Sequence, residues 1–156
     1  MAGNIFKRTT FVVPDAGAAA DFYTGVFGWT VYYDNELPVD ARFPPAAPDG
    51  AMARLIILDS AGSDLGRLGL LQYLEPPFDT AYETNRSKVR MGDTILVIAV
   101  EDVEDVYERA KKTKARIVSP PTDWDVPSAD GKGVIHLRIM SLFDPWGRYM
   151  EITRMG

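Results

Sequence analysis

The sequence is poor in histidine and cysteine, the residue types that most often serve as acid-base groups, nucleophiles and metal ligands. His136 is the single histidine among 156 residues, and there is no cysteine. These counts exclude clusters of histidine ligands, thiolate metal sites and cysteine nucleophiles. His136 shares a predicted strand face with Arg138 and Met140, and nothing in the sequence identifies a carboxylate partner for it. A solvated or core-edge histidine is therefore the simpler interpretation than a general base.

Other kinds of active site lack their sequence signature. The glycines of 59–66 have neither the P-loop nor the dinucleotide-binding spacing, so nucleotide cofactors are unsupported. No nucleophile elbow is present for serine-hydrolase chemistry. Of the three tryptophans, Trp29 and Trp146 are expected to pack in turns and core, whereas Trp124, in a predicted loop at 122–125, is expected to line a pocket.

One pattern of secondary structure occurs twice along the chain. A β-branched and aromatic run at 8–13 predicts a strand, and it is followed by Asp15, the predicted N-cap of a helix that stops at Gly28. A similar run starting at 95 ends at Asp102, the predicted cap of a second helix. Because Asp102 follows Asp15 by 87 residues and all these features keep that offset, the chain contains an internal repeat.

The two halves diverge after their returning strands, in predicted loops at 38–48 and 119–121. Further strands are predicted at 52–58, 67–74, 134–142 and 148–153, so each half reads strand, helix, strand, strand, strand. The predicted organisation is one domain, 1–156, made of a first module at 5–75, a linker at 76–92 and a second module at 93–154. The polar linker is interpreted as solvated, with order over a pocket mouth as the alternative.

Four sequence words resemble the vicinal-oxygen-chelate superfamily, which includes glyoxalases, bleomycin resistance proteins and extradiol dioxygenases. They are VVPD at 12–15, FYTGVFGW at 22–29, VED at 100–102 and DPWGRYMEI at 144–152. They follow the family's order and extend over nearly the whole chain. The resemblance implies an α+β fold of two tandem βαβββ modules, whose strands form a curved, cup-like mixed sheet with helices on the outside and ligands on the concave face.

In metal-dependent members of that superfamily, the first and last strands of the modules supply four ligands to a divalent cation, which binds two neighbouring substrate oxygens. The resemblance places Arg8 and Ile95 at the two first-strand positions, and neither residue can donate a lone pair to a metal. Gln72 and Glu151 occupy the last-strand positions. Because Arg8 also brings a positive charge, we expect no metal cofactor. A shift of one residue would bring in Thr9 or Thr94, which are poor ligands.

The predicted catalytic residues are accordingly Glu151, Arg8 and Gln72. The Arg8 guanidinium would take the vacated cation position beside Gln72 and bind a carboxylate or an enolate oxygen, while Glu151 moves a proton. The alternative interpretation makes Arg8 and Glu151 a structural ion pair. The predicted substrate-binding residues are Thr10, Thr94, Trp124 and Tyr149.

The expected function is that of a glyoxalase-like protein that acts on a small carboxylate or aromatic metabolite by metal-independent proton transfer, as a lyase or isomerase. Two alternatives stay open: a non-catalytic binder of the bleomycin-resistance kind, and a metal-dependent lyase or dioxygenase whose ligands are misregistered. The net charge of −5 leaves no basic stripe for nucleic acid, and no apolar run is long enough for a membrane. We expect a cytoplasmic protein, since a chain without cysteine needs no oxidising compartment. The resemblance implies a homodimer, because related proteins commonly pair through exposed sheet edges or by exchanging modules.

Overall fold

The computed structural model describes residues 3–62, 64–75 and 83–156. The chain divides into two compact units, Met1–Ala81 and Tyr82–Gly156, so the division falls inside the segment 76–92 that was interpreted as a linker. The first part of that segment, 76–82, lies outside the described residues. Each unit contains one helix and one four-stranded mixed sheet, as expected for an α+β chain of two βαβββ modules.

Unit 1 contains a sheet in which the first and last strands of the module are neighbours. Its strands and helix are β1 Arg8–Val12, α1 Ala16–Phe27, β2 Thr30–Pro38, β3 Met52–Asp59 and β4 Arg67–Glu75. The strand order is β1-β4-β3-β2, and β1 runs parallel to β4 whereas the other pairs are antiparallel. The parallel pair sets Arg8 opposite Arg67 and Thr10 opposite Gly69.

Both ends of α1 are where the sequence predicts them. The side chain of Asp15 caps the first turn by accepting a hydrogen bond from the Ala18 N–H at 2.9 Å. Gly28 ends the helix with a φ of 72°, in the left-handed region that glycine adopts without steric cost. The buried stripe includes Ala16 and Ala19, whose small side chains let α1 approach the sheet closely.

Unit 2 repeats this arrangement with a shorter helix. Its strands and helix are β5 Leu96–Ala99, α2 Val103–Ala110, β6 Arg116–Pro127, β7 Val134–Phe143 and β8 Tyr149–Met155, with the strand order β5-β8-β7-β6. Asp102 caps α2 as predicted, accepting from the Asp105 N–H. The helix ends at Ala110, where the Thr113 hydroxyl donates to the Ala110 carbonyl at 2.7 Å and the following lysines offer no apolar face to bury.

The prediction of a loop at 119–121 is wrong, because β6 continues through these residues. Register shifts in the pairing with β7 take up Pro120 and Pro121 as an irregularity within the strand. Proline is tolerated there since β6 lies at the edge of its sheet, where one side of the backbone needs no ladder partner. As a result Trp124, which was predicted to lie in a loop, lies on β6 opposite Leu137.

Each sheet packs its helix on one face, and we call the opposite face the helix-free face. In unit 1, Arg54 and Gln72 lie on the helix side, because Gln72 bonds to the start of α1 and Arg54 lies against Gly17. In unit 2, Arg138 lies on the helix side, where its Nε donates to Glu104 of α2 at 2.7 Å. Residues paired across strands share a face and successive residues alternate, so these markers assign the remaining side chains.

The helix-side core is apolar in both units, with residues such as Leu70 in unit 1 and Met140 in unit 2 fully buried. No helix in the described part of the chain is both long and apolar enough to cross a membrane.

Candidate functional site

Arg8 and Thr10 lie together on the helix-free face of unit 1, as strand alternation predicts. The Arg8 Nε donates a hydrogen bond to the Thr10 hydroxyl oxygen at 3.1 Å. Both residues are exposed. Within the described part of unit 1, Arg8 has no ion pair with a carboxylate. The guanidinium is therefore a positive charge held by a neutral neighbour.

Gln72 lies on the helix side of its strand, whereas Arg8 lies on the helix-free face, so the expectation that the two are neighbours is wrong. Its Oε1 accepts a hydrogen bond from the backbone N–H of Ala16 at 2.9 Å, at the first residue of α1. Because side chains alternate along β4, Leu71 and Tyr73 are the residues beside Gln72 that face away from the helix. A prediction one residue out of register moves a side chain to the other face of a sheet.

Arg67 is a residue of the helix-free face that the sequence did not single out. Its guanidinium carbon lies 3.6 Å from the centroid of the Tyr32 ring, and Nη1 lies 2.9 Å from a carboxylate oxygen of Asp64. The side chain is 10% exposed, and its buried Nε has no hydrogen-bond partner among the described residues. Only the parallel register of β1 and β4 brings it opposite Arg8, and no sequence signal specified that register.

Tyr73 is buried on the same face. It packs with Val39, Ala51 and Leu71, so the loop between β2 and β3 covers this part of the sheet. Burial raises the pKa of the Tyr73 hydroxyl, because the charged phenolate would lose its water shell. The hydroxyl accordingly stays protonated at neutral pH.

Glu151 lies on the helix-free face of unit 2, in the middle of β8. It is half-buried and stands in register between Val97 of β5 and Ser141 of β7. The Tyr149 hydroxyl, two residues earlier on the same face, donates to Glu151 Oε1 over 3.5 Å. Of the described residues that the strands of unit 2 place on this face, Glu151 is the single carboxylate.

Exposed apolar side chains share that face: Val97 is in register with Glu151, whereas Trp124 stands opposite Leu137, two strands away from β8. Val97 is 65% exposed, and Trp124 is 58% exposed on β6. Thr94 and Ile95 precede β5, outside the strand, and both are exposed. The structure thus places Tyr149, Glu151 and Trp124 on one sheet face, whereas Thr94 lies at its margin.

His136 has the carboxylate partner that the sequence did not identify. Its Nδ1 lies 2.7 Å from an Asp125 carboxylate oxygen on the paired strand. The pair is well exposed, on the same side of the sheet as Arg138. Only the irregular pairing of β6 with β7 brings Asp125 opposite His136. An exposed pair of this kind offers no enclosed surface for a substrate, so a solvated histidine stays the better interpretation.

The second part of the predicted linker is held against the turn that precedes β8. Arg86 forms an ion pair with Asp93 and donates to the Lys88 carbonyl at 3.2 Å. The hydrogen bond from Arg86 holds the pKa of Asp93 below its usual value. A depression of about 320 Å³, lined in part by Arg86 and Trp146, lies between this segment and the turn. The segment 83–93 is therefore ordered by specific contacts within unit 2.

The residues at the family's ligand positions do not fit a divalent cation. Arg8 contributes a guanidinium and Ile95 an aliphatic chain, while the amide oxygen of Gln72 is engaged by Ala16. Nowhere in residues 3–62, 64–75 and 83–156 do three histidine, aspartate or glutamate side chains come together as metal ligands.

Comparison with known proteins finds similarity along nearly the whole chain. A glyoxalase family protein from Bacillus cereus is 16% identical with a TM-score of 0.74, over 99% of this chain and 98% of that one. The trypanothione-dependent glyoxalase I of Leishmania major is 21% identical with a TM-score of 0.59, over 97% and 87%. TioX from Micromonospora sp. ML1 is 20% identical with a TM-score of 0.55, over 97% and 98%. At these identities the likeness concerns the fold alone.

No curated protein is similar enough in sequence to count as a match. The family model described as Glyoxalase/Bleomycin resistance protein/Dioxygenase superfamily matches residues 5–152. The motifs, the two βαβββ units and this match agree, and the chain belongs to the glyoxalase/bleomycin resistance protein/dioxygenase superfamily.

Proposed function

We propose that this protein acts, without a metal ion, on a small oxygenated metabolite that carries a carboxylate or an aromatic ring, and that Glu151 transfers the proton in a lyase or isomerase reaction. The observation that carries the proposal is the position of Glu151. It is a half-buried carboxylate whose neighbours on the sheet face, Val97, Ser141 and Tyr149, carry apolar or hydroxyl side chains. A carboxylate that is partly removed from water is a suitable general base for a carbon-bound proton.

The proposed chemistry needs only a carbon acid next to a carbonyl group. Glu151 takes the proton, the C–H electron pair moves into the carbonyl to give an enolate, and return of the proton to another position completes an isomerisation. Once Glu151 has taken the proton, it no longer needs the hydrogen bond from the Tyr149 hydroxyl, 3.5 Å away, and this hydroxyl then donates to the enolate oxygen. If the enolate instead expels a substituent from its β-carbon, the overall reaction is that of a lyase.

The character of the surrounding surface supports a small organic ligand. Ligand sites are mostly apolar, with few polar groups that fix orientation. Val97, in register with Glu151, provides exposed apolar area beside the carboxylate. An aromatic or aliphatic body packed there would leave an oxygenated carbon free to approach the carboxylate.

A non-catalytic binding protein of the bleomycin-resistance kind is the second candidate. The engagement of Gln72 with Ala16 favours it, because this contact removes one of the three predicted catalytic residues from the helix-free face. Exposed aromatic area such as that of Trp124 serves ligand capture as well as catalysis. A metal-dependent enzyme with other ligands is the third candidate, and its ligands would have to come from positions that the family pattern does not predict.

Solvent deuterium incorporation separates these candidates. Wild-type protein, dialysed against EDTA, is incubated in D₂O with a panel of 2-oxo and 2-aryl carboxylic acids, and exchange at carbon is followed by proton NMR. Exchange after EDTA treatment supports the proposal, whereas binding without exchange supports the second candidate. Exchange that disappears with EDTA and returns with a stoichiometric metal ion would establish the third.

Assembly as a homodimer in the cytoplasm also belongs to the proposal. The edge strand β2 supports the dimer, because it leaves one side of a 9-residue backbone without a ladder partner in its sheet and carries proline only at its last residue. Light scattering at two protein concentrations tests it, and a persistent species of 17.3 kDa would contradict it.

A further inference from the structure

Ser141 of β7 is a buried polar residue on the helix-free face of unit 2, where it is only 6% exposed. Its neighbours along the strand, Met140 and Leu142, are fully buried on the helix side. Because side chains alternate along β7, Ser141 points to the opposite side of the sheet. The serine is therefore a buried hydroxyl on the face that carries Glu151.

The Ser141 hydroxyl forms no hydrogen bond with another described residue. Ser119, in register with it on β6, differs in this respect, because its hydroxyl donates to the Pro120 carbonyl at 3.0 Å. A buried hydroxyl without a partner is unfavourable for folding, and an alanine of similar size would avoid that cost. The oxygen of a ligand on this face would supply the partner that the protein does not.

Ser141 and Glu151 are paired residues of the neighbouring strands β7 and β8. Side chains at paired positions have Cβ atoms about 4.5–5.5 Å apart. In a carbon acid, the acidic C–H group and the carbonyl oxygen are attached to adjacent carbon atoms, so the two groups that bind them must also be neighbours. The pair formed by Glu151 and Ser141 meets this requirement.

Tyr149 is occupied at the start of the proposed reaction. Its hydroxyl donates to Glu151 over 3.5 Å, and its ring is held by Phe143, with the two ring centroids 5.3 Å apart. Before proton transfer, the carbonyl oxygen of the substrate therefore needs a different donor. Ser141 is the hydroxyl in register with Glu151.

We propose that Ser141 is a further catalytic residue, which donates a hydrogen bond to the carbonyl oxygen of the substrate while Glu151 takes the proton from the adjacent carbon. This inference rests on the proposed function, but the contact itself can be measured without turnover. Ser141 keeps its proton throughout. The C–H electron pair moves toward the carbonyl oxygen, and the hydrogen bond from Ser141 strengthens as negative charge develops there.

The test compares a ketone with a hydrocarbon of the same shape. Binding of acetophenone and of isopropenylbenzene, in which a CH₂ group replaces the carbonyl oxygen, is measured by NMR titration of the protein. Both probes are uncharged, so repulsion by Glu151 does not enter. Ser141→Ala should weaken acetophenone binding by about three- to tenfold, the range expected for one neutral hydrogen bond, and leave isopropenylbenzene binding unchanged. Deuterium incorporation into the acetophenone methyl group should fall by at least about tenfold.

Two variants serve as controls. Ser119→Ala removes a hydroxyl that is already engaged, and Thr153→Val removes one that lies two residues after Glu151 on the same face. Both should bind acetophenone as wild type does. In urea unfolding, Ser141→Ala should be at least as stable as wild type, because its hydroxyl has no partner to lose, whereas loss of a structural serine would lower the stability.

The inference is overturned if wild type binds neither probe, if Ser141→Ala weakens both probes equally or neither, or if a control variant loses acetophenone binding to the same extent. Glu151→Gln separates the inference from the proposed function, since it should keep acetophenone binding and lose exchange. Wild-type exchange by Ser141→Ala would contradict the role of Ser141 alone. Binding that depends on Ser141 but is not followed by exchange in wild type would contradict the proposed function and still establish the contact with the carbonyl oxygen.

Discussion

The backbone N–H of Ala16 donates to the side-chain oxygen of Gln72 at 2.9 Å, which ties the middle of β4 to the first turn of α1. Ala16 is fully buried, so its N–H has no water to replace that acceptor. The family pattern places a metal ligand at Gln72, but in this chain the side chain stabilises the helix start. Two variants can separate a structural role from a catalytic one.

Gln72→Leu should lower the free energy of unfolding by about 1–3 kcal/mol, because it leaves the buried N–H of Ala16 without a partner. Gln72→Glu keeps an acceptor and adds negative charge at a helix N-terminus, so it should keep most of the stability. Urea unfolding followed by circular dichroism measures both. Wild-type stability of Gln72→Leu, or an equal loss in Gln72→Glu, would contradict the capping role.

Gly147 tests the contact between segment 83–93 and the turn before β8. A Cβ at Gly147 would lie 2.8 Å from the Glu83 carbonyl oxygen, and its φ of 83° disfavours other residues. Gly147→Ala should therefore lower the free energy of unfolding by about 2–4 kcal/mol, from backbone strain and the clash together. Gly131→Ala is the control, because φ is 70° there but nothing lies within 4 Å of the added Cβ. Equal losses in the two variants would show that the contact contributes nothing.

Gly69 and Thr10 should be energetically coupled. Gly69→Ala places a methyl group against the Thr10 side chain and should destabilise unit 1 by about 1–3 kcal/mol. In a Thr10→Ala background the same change should cost clearly less, since the clashing atoms are gone. A double-mutant cycle in urea measures the coupling, for which contacting residues typically give about 0.5–3 kcal/mol. Additive effects would argue against the described packing of β1 on β4.

Asp93 should contribute to the acid limb of the stability curve. Its pKa is lowered by the hydrogen bond from Arg86 and by a further bond from the Arg90 N–H. A carboxyl group with a lowered folded-state pKa stabilises the fold above its unfolded pKa, near 4, and this stabilisation is lost as pH falls through the folded pKa. Asp93→Asn should thus be less stable at neutral pH and decline less steeply below about pH 4.

The control for that experiment is Asp21→Asn, which changes an exposed aspartate of α1. Thermal unfolding between pH 2.5 and 7 should give this variant the same acid slope as wild type. An unchanged slope in Asp93→Asn would contradict the role of the Arg86 ion pair.

The repeat and the helix caps could be predicted from sequence because they depend on local chemistry. Asp15, Gly28 and Asp102 act through backbone groups within a few residues of themselves, so their types and spacing were sufficient. The shared face of Tyr149 and Glu151 was also predictable, because it follows from the alternation of side chains within one strand. The faces of individual strands therefore followed from the sequence wherever one fixed point was known.

Relations between strands could not be predicted in the same way. The opposition of Arg8 and Arg67 depends on a parallel register between strands that are far apart in sequence. The face of Gln72 depends on the register of β4 against its neighbouring strands, and a one-residue difference reverses it. The partner of His136 depends on how an edge strand takes up two prolines. Each of these contacts is set by packing over long sequence separations.

The most direct test of the central claim is the rate of carbon-bound deuterium incorporation by Glu151→Gln in the presence of EDTA, measured on the acid that wild type exchanges fastest. The amide keeps the size of the side chain but cannot accept the proton, so we expect the rate to fall by at least about 100-fold while binding of the acid changes little. Glu101→Gln, an exposed control, should exchange at the wild-type rate. Undiminished exchange by Glu151→Gln would contradict the assignment of Glu151 as the base.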